Sequence, residues 1–186
     1  MRARRVIRPG AGSCAGFTLL EVLVALFVVA LGVAGAAGVQ ATAVRVAGEA
    51  ARLSDGMRLA SSLAQRMRAN PVAMALPDAA NPYLQFDVDA AGAPESAAPC
   101  YAAASCSPEE LARFDLAETG AALAERFPGG RMRVCRDAGE PDAAGLLAWP
   151  CSGGAGAPVT VKLGWRGKPG EPDAPAVFLT LGAGAP

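Results

Sequence analysis

The stretch GFTLLEVLVALF, from Gly16 to Phe27, holds one carboxylate, Glu21, inside an otherwise apolar run. A charged group at that depth in a membrane helix costs on the order of a few kcal/mol unless a partner neutralises it. The chemistry open to Glu21 is therefore pairing with a cation. Other reactive types are sparse. Histidine is absent, which removes the commonest general base and the commonest metal ligand. Five cysteines stand at positions 14, 100, 106, 135 and 151, with no C-x-x-C spacing to suggest zinc. Glu109/Glu110 and Asp137/Glu140/Asp142 are the carboxylate groups an enzyme could use. The first pair reads as helix capping and the second set as solvated loop charge. No nucleophile–base pairing, phosphate loop or metal motif accompanies them. The sequence thus argues against an enzyme and gives no catalytic, metal or cofactor-binding residue.

The elements around Glu21 are distinctive. Arg2, Arg4, Arg5 and Arg8 make a basic leader without acids. Seventeen basic residues less those four leave 13 against 17 acids, a formal charge of −4 for the remainder. That is a poor footprint for nucleic acid, whereas a basic leader is a topogenic signal that stays in the cytoplasm. Phe17 to Val39 gives 23 residues, enough to span a bilayer, with Glu21 the only charge among them. A secretory signal cut near Ala34-Gly35-Ala36, or a plain anchor, would explain the apolar run. Neither explains the glutamate.

A basic leader ending in Gly16, then Phe17-Thr18-Leu19-Leu20-Glu21 and an apolar helix, resembles the class III signal of type IV prepilins and pseudopilins. The resemblance implies cleavage between Gly16 and Phe17 by a prepilin peptidase that also methylates the new N-terminus. Glu21 becomes the fifth mature residue, and it can pair with the Phe17 amine of a neighbouring subunit. Gly16 has a matching rationale, since a bare backbone can approach a peptidase closely. Cys14 would leave with the leader. The remaining Cys100, Cys106, Cys135 and Cys151 then suggest two disulfides in an oxidising compartment. Three pairings are open; loop closure favours Cys100–Cys106 and Cys135–Cys151.

The helix continues past the membrane. Val39, Ala43, Val46, Ala50, Leu53, Met57, Ala60, Ala64 and Met67 recur at steps of four and three, widened by Leu59 and Leu63. Asn70-Pro71 is its stop. At ~1.5 Å per residue such a helix is roughly 80 Å long. Gly32, Gly35 and Gly38 weaken it, either as a close-packing face or as a place where it bends or melts. Major pilins often carry proline where Gly38 stands.

The expected organisation is a cleaved leader at 1–16, the helix at 17–70 and a globular head at 71–186. Tyr83 to Asp89 reads as a short strand or extended loop, and Ala90 to Cys106 as loop. Ser107-Pro108-Glu109-Glu110 opens a helix to about Arg126, with Leu111, Phe114, Ala122 and Leu123 as packing candidates, and Pro128-Gly129-Gly130 turns the chain. Arg131 to Arg136, Val159 to Arg166 and Ala176 to Leu181 are strands, and the alternation predicts a sheet with one buried face. The fold class is α+β, a long helix on a small antiparallel sheet with a short extra helix. LARFDLAETGAALAERFPGGRMRVCRD followed by VTVKLGW, and MRANP at Met67 to Pro71, resemble the PilV-type minor pilins. Those usually have a tryptophan where Thr119-Gly120 stand nearby.

The resemblance implies a minor pilin that takes part in type IV pilus assembly or priming. Its implied partners are the prepilin peptidase/methyltransferase, other minor and major pilins and the inner membrane, with neither nucleic acid nor a small-molecule substrate. Its head would lie in the periplasm of a Gram-negative bacterium before entering the filament or its tip. A minor pseudopilin of a type II secretion system is the alternative. A DNA-uptake subunit would need more basic surface than Arg131, Arg133, Arg136 and Arg166 supply. Replacing Gly16 with a bulky residue is expected to leave an unprocessed precursor. Intact mass of membrane-recovered protein checks this, and a normal mature mass would rule it out.

Overall fold

The computed structural model describes residues 16–89, 92, 97–101, 105–139, 141, 143, 145–154, 156–167 and 173–182. The arginine leader with Cys14, the acids Glu140 and Asp142, and most of Ala90–Pro99 lie outside the described residues. The chain divides into two units, 1–48 and 49–186, and the first helix, α1 (Leu19–Ala69), contributes to both. α1 is one continuous helix of 51 residues, so the glycines at 32, 35 and 38 do not break it into segments. A Cβ at any of the three would meet nothing within 4 Å, so no contact among the described residues accounts for them.

In the first unit every described residue is exposed, including Phe17, Leu19, Phe27 and Val33. This is the one described helix long and apolar enough to cross a membrane. In the second unit α1 buries Gly56, Leu59, Ala60, Leu63, Ala64 and Met67. The predicted stripe holds only from Leu59 onward. Leu53 and Met57 remain 45% and 40% exposed, and the true inner face is rotated toward Gly56. Steric room sets this phase. A Cβ on Gly56 would lie 3.0 Å from the Trp165 ring and 3.2 Å from Leu163 and Val177, so any larger residue would push these side chains back by a few tenths of an ångström.

The sheet is an antiparallel meander in the order β1 (Asp87–Asp89), β2 (Arg131–Arg136), β3 (Val159–Gly164), β4 (Val177–Thr180). Val134, Val161 and Leu179 align across it, as do Met132, Leu163 and Val177. These side chains meet Leu63, Met67, Leu123 and Phe127 in one core. The expected single buried face is corrected here: all six residues of β3 are buried, Thr160 and Lys162 included. The segment after β2 returns across the second face. It is tied to β2 by the Cys135–Cys151 disulfide, and it seats Trp149 against Gly164.

Local signals set the remaining elements. Asn70 ends α1 and caps the short α2 (Pro71–Met74) through Ala73 N–H. Asn81 caps a 3-10 turn, Pro82–Gln85, which occupies the first half of the segment expected to be extended; only Asp87–Asp89 is strand. Ser107 and Glu110 form the reciprocal capping box at the start of α3 (Pro108–Arg126). α3 turns Ala112, Asp115, Leu116, Thr119, Gly120 and Leu123 inward. Of the expected packing residues only Leu123 is fully buried; Leu111, Phe114 and Ala122 are half-buried, and Phe114 meets Tyr101 edge-on. Gly129 takes φ +67°, and a Cβ on Gly130 would strike the Phe127 carbonyl at 2.7 Å, so this turn requires both glycines. The second disulfide joins Cys100 and Cys106.

Leu63→Ala should destabilise the head by about 2–5 kcal/mol, because it empties a fully buried site. Leu53→Ala, on the uncovered face, should cost well under about 1 kcal/mol. Urea unfolding followed by tryptophan fluorescence separates the two. Equal shifts would contradict the phase of the helix described above.

Candidate functional site

Gly16 and Phe17 precede the first turn of α1, and both are exposed. The helix starts with an arrangement the sequence reasoning missed. Thr18 Oγ1 accepts the Glu21 N–H at 3.3 Å, and the Glu21 carboxylate accepts the Thr18 N–H at 3.5 Å. This is a capping box, and its signature, Thr-x-x-Glu before an apolar run, is visible in the sequence. Glu21 thus has a local partner as well as a charge. The second bond sits at the outer limit of hydrogen bonding, so it holds the carboxylate weakly. Farther along, the Thr42 hydroxyl donates to the Gly38 carbonyl at 3.1 Å, one turn back along the helix.

The carboxylates of the head are engaged in structure. Glu110 closes the capping box. Asp115 is buried and accepts from Tyr83 Oη at 2.7 Å and from Arg66 at 2.9 Å. Burial first, and then the bond to Asp115, pushes the Tyr83 hydroxyl well above its ordinary pKa, so it remains a donor. Asp87 binds Arg131 through two bonds of 3.0 Å and also pairs with Arg133, while Asp78 pairs with Arg136. Three of the four arginines weighed for nucleic acid are therefore already neutralised within the fold. Among the described residues no group of three His, Cys, Asp or Glu could hold a metal ion.

Asp137 corrects the expectation of a solvated loop charge. It is 4% exposed and paired with Lys162, which is fully buried. The Lys162 ammonium also donates to the carbonyls of Ala148 at 2.8 Å and Pro150 at 2.9 Å. Three acceptors around an ammonium satisfy its three protons, so the charge is tolerated without solvent. Burial alone would raise the Asp137 pKa. Hydrogen bonds from Lys162, the Ser152 hydroxyl and the N–H groups of Gly139 and Ser152 outweigh it and bring the value down to about 2. A fully hydrogen-bonded ion pair has no free lone pair or proton to offer a substrate, so its role is structural.

Comparison with known families matches two consecutive segments. The model described as prokaryotic N-terminal methylation motif covers residues 12–37, and the model described as type IV pilin Tt1218 covers residues 38–117. No curated protein and no solved structure matches. The two matches support the type IV pilin superfamily, and with it a pilin or pseudopilin role. The motif marks a site that is acted upon and is not an activity of this chain. Together with the apolar helix it suggests membrane anchoring, processing by a prepilin peptidase and assembly with other pilins.

The Asp137 pair gives a signed pH dependence. Its folded pKa lies below the ordinary 3.8, so its stabilisation is complete above about pH 4 and is lost as pH falls toward 2. The amount is on the order of 2 kcal/mol. Asp137→Asn should be less stable than the native chain at pH 6, with the gap narrowing between pH 4 and 2. Urea midpoints across that range check it; a gap constant with pH would contradict it.

Proposed function

We propose, from the two pilin-family matches, that the chain is a PilV-like minor pilin that primes or joins a type IV pilus. The leader is removed between Gly16 and Phe17, Phe17 is N-methylated, and the helix stands in the inner membrane with its head in the periplasm. The observation that carries this reading is the start of α1. An exposed Phe17 and the carboxylate of Glu21 lie together at the head of an apolar surface that no described residue covers. Cleavage would create a cation on Phe17 beside that surface. A neighbour's Glu21 then gains more by pairing with it than it loses by leaving Thr18. A neutral-range capping bond contributes about 1 kcal/mol, whereas an unpaired carboxylate in lipid costs about 2.5 kcal/mol or more.

Two disulfides suit a head exported to an oxidising space. The similarity of the head to the PilV type favours the pilus over a type II secretion system. N-terminal peptide mass analysis of protein from native membranes tests the processing. A chain starting at methylated Phe17 supports it, and one starting near Ala37 would sink it. Deleting the gene and scoring pili against exoprotein secretion tests the system, and lost secretion with normal pili would move the chain to the pseudopilins.

Glu21→Ala should still insert in the membrane yet enter sheared filaments at least about tenfold less, since the charge partner is gone. Glu21→Gln separates two roles. Glutamine can still accept from the Thr18 N–H as a cap but carries no charge, so it should fail to the same degree. Recovery of assembly by glutamine would mean that capping, and not pairing, is what Glu21 provides.

A further inference from the structure

Within residues 49–186 a groove of about 300 Å³ runs between α1 and α3. Arg58, Ser62 and Arg66 line it from α1, and Glu118, Ala122 and Arg126 from α3. Three guanidiniums face a single carboxylate there. Arg66 is already engaged: it bonds Asp115 at 2.9 Å and Glu118 at 2.5 Å, which uses up the groove's one acid. Arg58 pairs only with Asp55 on its own helix, and their side chains are 76% and 52% exposed. An exposed pair of that kind holds its partner weakly and can exchange it. Arg126 is exposed and makes no hydrogen bond or ion pair among the described residues. Its place in the last turn of α3 favours a cation through the helix dipole. That does not account for Arg58 and Arg126 flanking one concave, small-residue-floored groove.

We propose that this groove receives a carboxylate side chain from a different subunit of the filament, gripped between Arg58 and Arg126. The inference rests on the assembly role proposed above. The volume admits one or two side chains. Glu118 beside Arg66 would repel a polyanionic backbone, whereas a single carboxylate can be accommodated between the two outer arginines. A second copy of this chain is the poorer occupant. Among the described residues, Asp78, Asp87, Asp115, Asp137, Glu110 and Glu118 already have internal partners. Glu109 and Glu125 have no hydrogen-bond or ion-pair partner among the described residues, but both stand on α3, so a second copy could offer Glu125 only with its own Arg126 beside it, against the arginines of the groove.

The test is full-length protein carrying Arg58→Glu and Arg126→Glu, scored for incorporation into sheared filaments. Incorporation should fall at least about tenfold, because like charges replace attraction at a docked contact. Leader removal and membrane level should not change, and the urea midpoint should fall only slightly, through the exposed Asp55 pair and the end of α3. Arg58→Lys with Arg126→Lys should keep most of the incorporation. Native-level incorporation of the glutamate variant would overturn the groove while leaving the assembly role intact. Native protein missing from filaments would overturn both. A photo-cross-linking residue at Ser62 identifies the occupant: adducts with another pilin support the proposal, and adducts with a second tagged copy overturn the choice of partner.

Discussion

Asp115 joins three pieces of chain that would otherwise have no common reference. It accepts a hydrogen bond from Tyr83 of the 3-10 turn and an ion pair from Arg66 of α1, while its own backbone sits in α3. Asn70 adds a fourth tie, from the end of α1 to the Pro108 carbonyl at 2.7 Å. Hydrophobic contact is non-directional and would allow these helices to slide. A buried carboxylate with directional partners allows one arrangement, since any slip leaves a charge unsatisfied at several kcal/mol. The placing of α3 against α1, and with it the groove between them, follows from that node.

Features governed by near neighbours along the chain are legible in the sequence itself. The Ser107–Glu110 box, the proline–glycine turn at 128–130 and the strands at 131 and 159 all rest on interactions a few residues long. The α+β class follows from them. What stays hidden is long-range. Asp137 and Lys162 look like a loop acid and a solvent-facing strand lysine, and only the return of Ala148–Cys151 across the sheet makes them a buried pair. The phase of α1 is hidden for a related reason. Two apolar stripes run side by side along it, and periodicity cannot say which one the head will cover. Gly56 decides it, through its distance from Trp165. The start of α1 is legible in its motif, and the methylation-motif match spans Gly16, Phe17 and Glu21. The capping partnership with Thr18 is written in the same residues, where the larger cost of a carboxylate among apolar neighbours masks it.

The helix therefore meets two demands with one continuous backbone. Its first part is apolar on all sides, as a segment surrounded by hydrocarbon must be. Its second part is apolar on a limited arc, with Leu53 and Met57 beside that arc and still uncovered. Surface of this kind is costly on an isolated subunit and is removed from water by association. The filament reading supplies the association, and the glycines at 32, 35 and 38, which serve no contact among the described residues, lie in the same uncovered part.

Lysine is almost absent from this protein. Fifteen of the seventeen basic residues are arginines, and the two lysines are Lys162 and Lys168. With Lys162 sealed under Trp149 and Pro150, an acylating reagent applied to the folded chain has at most Lys168 and the amino terminus to attack. A fluorophore or affinity tag directed at amines therefore has no more than two addresses on the folded chain. The buried pair thereby narrows amine labelling of the native chain by withdrawing one of its two lysines.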